Sequence, residues 1–217
     1  REPVDIATIK SYRPESTSTS AGQVLTRPYT FDETRIIILE MVDKLVLELV
    51  EKSLTTDQIV LMVGYDIENL TDSDRRAAYK GEITTDHYGR QIPKHARGTV
   101  NMGKHTSSTR LITEKTIELF ERIVDKKLLT RRLTITANHL LSESDAQANA
   151  GAEQLTLFDL PEDIEKREAD EAREKRMQKA VLDIKNRFGP NSIMKGTSYQ
   201  DAATGIERNK SIGGHHE

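Results

Sequence analysis

The chain has 217 residues; 35% are hydrophobic, 5% aromatic and 31% charged, with no Cys and no Trp. That length suits one or two domains at ~100–200 residues each, and so low an apolar share excludes one core running through all of it. Without Cys, disulfide scaffolds, thiolate zinc sites and cysteine nucleophiles are excluded, and no apolar run approaches the ~18 residues of a membrane span. The net charge of −3 hides an uneven distribution. Residues 1–86 hold 10 Lys/Arg against 16 Asp/Glu (−6), residues 87–141 hold 11 against 4 (+7), and residues 142–217 hold 11 against 15 (−4). A basic block between acidic flanks predicts one polyanion-facing surface on an otherwise acidic protein.

Residues 1–15 read as an extended lead-in, and the absence of an initiator Met suggests that Arg1 opens a fragment of a longer protein. Residues 16–28 are polar and β-branched, then apolar, which predicts a first strand. Thr30-Phe31-Asp32-Glu33 spells a capping box, with Thr30 as N-cap and Glu33 three residues on. Ile38, Met41, Val42, Leu45, Val46, Leu49 and Val50 follow at helical spacing, so a long helix is expected over 31–52. Residues 57–65 form a short β-branched run that predicts a second strand. Residues 66–96 are polar, with Gly81, Gly89 and Pro93, and read as a long loop or exposed ribbon.

Residues 97–104 predict a third strand. Ser107, Ser108 and Thr109 then offer N-caps for a second amphipathic helix over 109–125, built on Ile112, Thr116, Leu119, Phe120, Ile123 and Val124. Leu133, Ile135 and Ala137 alternate with Thr134 and Thr136, the pattern of a half-buried strand. The expected fold is therefore α+β: a four-stranded, mainly antiparallel sheet over residues 16–141 in the order β-α-β-β-α-β, with two helices on one face. The other face stays open, and its alternate positions carry Thr and Arg, which suits phosphate contact.

Beyond residue 141 the composition changes. Residues 142–153 are small, polar and acidic, and read as a flexible linker. An apolar island, Gln154-Leu155-Thr156-Leu157-Phe158, comes next. A charged helix is expected over 159–189, opened by Asp159 and Pro161 and closed by Gly189-Pro190. Its stripe of Met177, Val181, Ile184 and Phe188 predicts a short docking patch. Residues 190–217 read as irregular.

Lys104, His105, Thr106, Ser107, Ser108 and Arg110 surround the start of the second helix, where free backbone N–H groups and hydroxyls can hold a phosphate. Ser18, Ser20 and Gln23 on the first strand and Thr134 on the last are further candidates for hydrogen bonds to a nucleic-acid backbone. Arg131 and Arg132 lead into the last strand, and the pleat sends one to each face. His87, His95 and His105 match no zinc spacing. No P-loop, G-x-G-x-x-G or G-x-S-x-G occurs, so an independent nucleotide-binding enzyme or hydrolase finds no support.

The β-α-β-β-α-β module with Arg131-Arg132, followed by a Gln-Leu-Thr-Leu-Phe peptide behind a linker, resembles the little-finger domain and tail of Y-family lesion-bypass DNA polymerases. SAGQVLTRPY (20–29), VGYDIENL (63–70), YKGEITTDHYGR (79–90) and ERNKSIGGH (207–215) are most similar to the bacterial UmuC-like branch. The resemblance implies a non-catalytic C-terminal region that grips damaged or primed template DNA without reading sequence, with Arg131 and Arg132 against the backbone. It implies that Gln154, Leu155, Thr156, Leu157 and Phe158 bind the bacterial sliding clamp. It further implies a DNA repair role in the cytoplasm, at the nucleoid, in a polypeptide whose upstream palm, thumb and finger domains carry nucleotidyl transfer. No cofactor is expected in this region; Mg2+ is expected in the palm, whose acidic residues have no match here. The competing reading is a stand-alone nucleic-acid or protein-binding adaptor.

Overall fold

The computed structural model describes residues 17–150 and 161–210. Strand β1 is Ser18–Tyr29, helix α1 Phe31–Glu51 and strand β2 Leu54–Tyr65. Two short helices, α2 (Glu68–Thr71) and α3 (Ser73–Ala78), lead to a small hairpin of β3 (Ile83–Thr85) and β4 (Gln91–Pro93). Then come β5 (Ala96–Thr106), α4 (Thr109–Ile123), β6 (Thr130–Asn138) and β7 (Leu141–Ser142). Helices α5 (Glu143–Ala150), α6 (Pro161–Phe188) and α7 (Gly205–Arg208) complete the order, with a 3-10 turn at Gly196–Tyr199.

The α+β expectation holds. The main sheet runs β1-β6-β2-β5, and each of its pairings is antiparallel. Helices α1 and α4 cover one face. The capping box at Thr30 forms as spelled: Thr30 Oγ1 accepts the Glu33 N–H at 3.4 Å, and Glu33 Oε2 accepts the Thr30 N–H at 2.8 Å. Apolar residues recurring every three or four positions bury Ile37, Ile38, Met41, Val42, Leu45, Val46, Leu49 and Val50 along α1. They meet Leu25 of β1, Ile59, Leu61 and Val63 of β2, Leu133 and Ile135 of β6, and Leu119 and Phe120 of α4. Phe31 stacks on Phe120 with ring centroids 4.5 Å apart. At ~1.5–3 kcal/mol for each fully buried large apolar side chain, this single cluster dominates the stability of the module.

Three segments differ from expectation. Residues 66–96 are not a bare ribbon. Asp66 Oδ1 accepts the Glu68 N–H at 2.8 Å, opening α2, and Asp72 caps α3. Residues 142–150 are not a flexible linker. Leu141 and Ser142 pair with Thr55 and Leu54, and the Ser142 hydroxyl accepts the Asp145 N–H at 3.1 Å, an N-cap for α5. The small, Ala-containing sequence that suggested flexibility is equally compatible with helix once capped.

Residues 190–210, read as irregular, turn back along α1. The Glu40 carboxylate accepts the Thr204 N–H at 2.9 Å and the Gly205 N–H at 3.0 Å. A Cβ on Gly205 would lie 2.6 Å from Glu40 Oε1, so a side chain there would make the Glu40 carboxylate shift. Lys195 pairs with Asp43 at 2.6 Å, and Ala202 joins the core cluster. The apolar stripe of α6, expected as a docking patch, is exposed along the chain at Met177 (63%) and Phe188 (67%). Gln178, on another side of the helix, is buried, and Leu182 packs against the core. Residues 154–158 lie outside the described residues.

Candidate nucleic-acid interface

The strand register sets out the open face of the sheet in rows. Ser18, Asn138, Gln58 and Asn101 lie across one row, and Ser20, Thr136, Val60 and Thr99 across the next. Gly22, Thr134, Met62 and Arg97 follow, then Val24, Arg132 and Gly64. None of these positions is acidic, in a chain with 35 Asp and Glu. None is aromatic. The face offers hydroxyls, amides and two guanidinium groups, which are donors suited to phosphate oxygens.

Neighbouring side chains order the face. Asn138 Nδ2 donates to Gln58 Oε1 at 2.9 Å, and Gln58 Nε2 donates to Asn101 Oδ1 at 3.0 Å, making an amide ladder across three strands. Ser20 and Thr136 share a hydroxyl contact of 3.0 Å. Arg132 stands opposite Gly64, where a Cβ would come within 3.3 Å of the Arg132 Cβ. Glycine at 64 therefore leaves space beside the Arg132 stem.

The predicted residues divide into three groups. Ser18, Ser20, Arg132 and Thr134 lie on the open face. Arg131 points the other way, its Nε 3.7 Å from Oδ2 of the buried Asp66. Gln23 requires a correction. Its position is of opposite parity to Ser18 and Ser20, so the pleat turns it to the covered side. There it is nearly buried, donating to Thr204 Oγ1 at 2.8 Å and accepting from Arg208 Nη1 at 2.6 Å.

The third group, at the start of α4, is brought together as predicted but is already engaged. Lys104 Nζ reaches Glu171 Oε1 at 2.7 Å. The Ser108 hydroxyl donates to Glu174 Oε2 at 2.7 Å while capping α4 at the Leu111 N–H, and the Arg110 N–H donates to Glu174 Oε1 at 2.9 Å. Gln178 Nε2 donates to the Ser107 carbonyl at 2.8 Å and to Thr109 Oγ1 at 2.9 Å. Thr106 is buried, its hydroxyl accepting the Ser108 N–H at 3.0 Å. His105 turns its Nε2 towards Asp57, 3.8 Å away.

Arg97, Thr99, Asn101, Gln58, Thr136 and Asn138 were missed by sequence reasoning. The signal that finds them is the two-residue period of β5, β2 and β6 once pairing is known: residues opposite an open-face position are themselves open-face. Strand order and register carry that information, and local periodicity does not.

A family model described as the impB/mucB/samB family C-terminal domain matches residues 16–157, more than half of the chain. No curated protein matches it. Among the described residues, no helix is long and apolar enough to cross a membrane.

Proposed function

Since the chain belongs to the impB/mucB/samB C-terminal-domain family, the C-terminal part of Y-family lesion-bypass DNA polymerases, we propose that its open sheet face grips the DNA backbone without reading sequence and that residues 154–158 recruit the sliding clamp. The observation that carries the first half is the acid-free face, with Arg97 and Arg132 set among amides and hydroxyls. Backbone contacts position a protein on DNA but carry no base information, which suits an enzyme that follows any template, damaged or not. The absence of aromatics from these rows argues against single-strand RNA recognition, which relies on stacking platforms. Catalysis and its Mg2+ belong, on this reading, to the palm of the parent polypeptide. The clamp half rests on the Gln154-Leu155-Thr156-Leu157-Phe158 sequence, whose two large apolar ends suit a hydrophobic pocket on a partner.

Fluorescence anisotropy with duplex DNA tests the reading. Arg97→Ala and Arg132→Ala should each weaken binding about three- to tenfold and flatten the salt dependence by roughly 0.9 per lost phosphate contact. The loss should be the same on unrelated sequences. Unchanged affinity, or a loss confined to one sequence, overturns the assignment. In parallel, Leu157→Ala with Phe158→Ala should abolish clamp binding and leave DNA binding intact.

A further inference from the structure

Strand β5 runs from the open-face residues Arg97, Thr99 and Asn101 directly into Lys104–Ser108 and the start of α4. This edge continues the proposed DNA face and holds the donors a phosphate needs. The chain has placed its own anion there. The Glu174 carboxylate spans the Arg110 N–H and the Ser108 hydroxyl, with one oxygen on each. Glu171 neutralises Lys104 alongside. Gln178, one turn further along α6, fixes the register by bonding both Ser107 and Thr109. Lys175 ties α6 to Glu143 of α5, and a cleft of about 440 Å3 lies between these elements.

We propose that α6 is an intramolecular stand-in for the DNA backbone: its carboxylates occupy the anion seat at the start of α4, and DNA must displace α6 to use that edge. This inference rests on the proposed function and adds a regulation of the same surface. The physical basis is exclusion. The Arg110 N–H has one hydrogen to give, and a phosphate arriving beside Glu171 and Glu174 meets like charge in a confined site. Because α6 is covalently tethered, it competes at high local concentration and suppresses weak encounters. Its far end leads into residues anchored on Asp43 and Glu40, so α6 swings aside when displaced and stays attached.

The test uses the full chain and compares Glu174→Ala with Asp183→Ala, which removes the same charge from an exposed position on the same helix. Glu174→Ala should tighten binding to duplex DNA about three- to tenfold over Asp183→Ala and steepen the salt slope by roughly 0.9 for each phosphate admitted. The chain has no Cys, so spin labels can be placed uniquely at Arg173→Cys on α6 and Glu118→Cys on α4 without touching the α6 contacts. Saturating DNA should lengthen the label distance. Equal affinities of the two Ala variants, or a distance unmoved by saturating DNA, make α6 a fixed brace and overturn the inference. In either case weakened binding by Arg132→Ala leaves the DNA-gripping reading standing. Failure of the unmodified chain to bind DNA at all overturns both.

Discussion

Glu33 shows how much one residue can hold at an element boundary. Its carboxylate accepts from Arg27 Nη2 at 2.6 Å and from the Thr30 N–H at 2.8 Å. The Arg27 hydrogen bond is the main cause that holds its pKa down, to about 2, against an opposing effect of burial and with support from Thr30. A depressed folded-state pKa means the stabilisation is complete above the ordinary carboxylate value and is lost as pH falls through the folded one. Glu33→Ala should therefore cost about 1 kcal/mol at pH 7, in the range of capping interactions. That difference should shrink as pH falls below the ordinary carboxylate value towards 2. Urea unfolding of both proteins across this range checks it; a constant difference would mean the charge is irrelevant. This cap was legible because its partners lie three residues apart. The role of Gln23 was not legible, because Thr204 and Arg208 lie more than 180 residues away.

Secondary elements were readable in proportion to their length. Helices α1 and α4 repeat their apolar spacing over several turns, and β1, β2, β5 and β6 are long enough to alternate. Helices α2 and α3 are too short to show a period and owe their formation to the surrounding contacts. Asn69 is central to those contacts. It is fully buried; its Nδ2 donates to the Leu129 and Asp66 carbonyls at 2.8 and 2.9 Å, and its Oδ1 accepts the Leu129 N–H at 2.8 Å. It thus pins the insertion to the residue that precedes β6. Asn69→Ala leaves the Leu129 N–H without its acceptor, while the Leu129 and Asp66 carbonyls keep the Asp66 and residue-69 backbone N–H donors, and should destabilise the protein by about 1–3 kcal/mol. Faster hydrogen exchange at the Leu129 amide should accompany the loss. A protein with unchanged exchange there would show the insertion to be held by other contacts.

The whole molecule is an α+β module with a tail that returns to it twice, through α6 on the start of α4 and through residues 195–208 on α1. The acidic composition of the tail was visible from the outset, but composition names no partner. The +7 block and the acidic tail meet at Lys104–Glu171 and at Glu174, so part of the charge that suggested a polyanion is answered within the chain. Glu40 is the other anchor. Glu40→Ala removes the acceptor for Thr204 and Gly205, each worth roughly 1 kcal/mol net. Limited trypsin digestion should then cut sooner after Lys195 and Arg208, while the sheet module survives as a resistant fragment. Unaltered cleavage kinetics would indicate that Lys195 and Ala202 suffice to hold the strap.

The strand order has a kinetic consequence. β6 is the last of the four main strands to be synthesised, yet it lies between β1 and β2. Its contact with β1 joins residues 115 positions apart. β2 and β5 can pair as soon as β5 emerges, but β1 has no strand neighbour until residue 138 has been made. The sheet closes by inserting its final strand into a waiting slot, a long-range step that comes late and leaves two strand edges unpaired until then. Placing the strand that carries Arg131 and Arg132 inside the sheet thus makes it the last of the four main strands to be assembled.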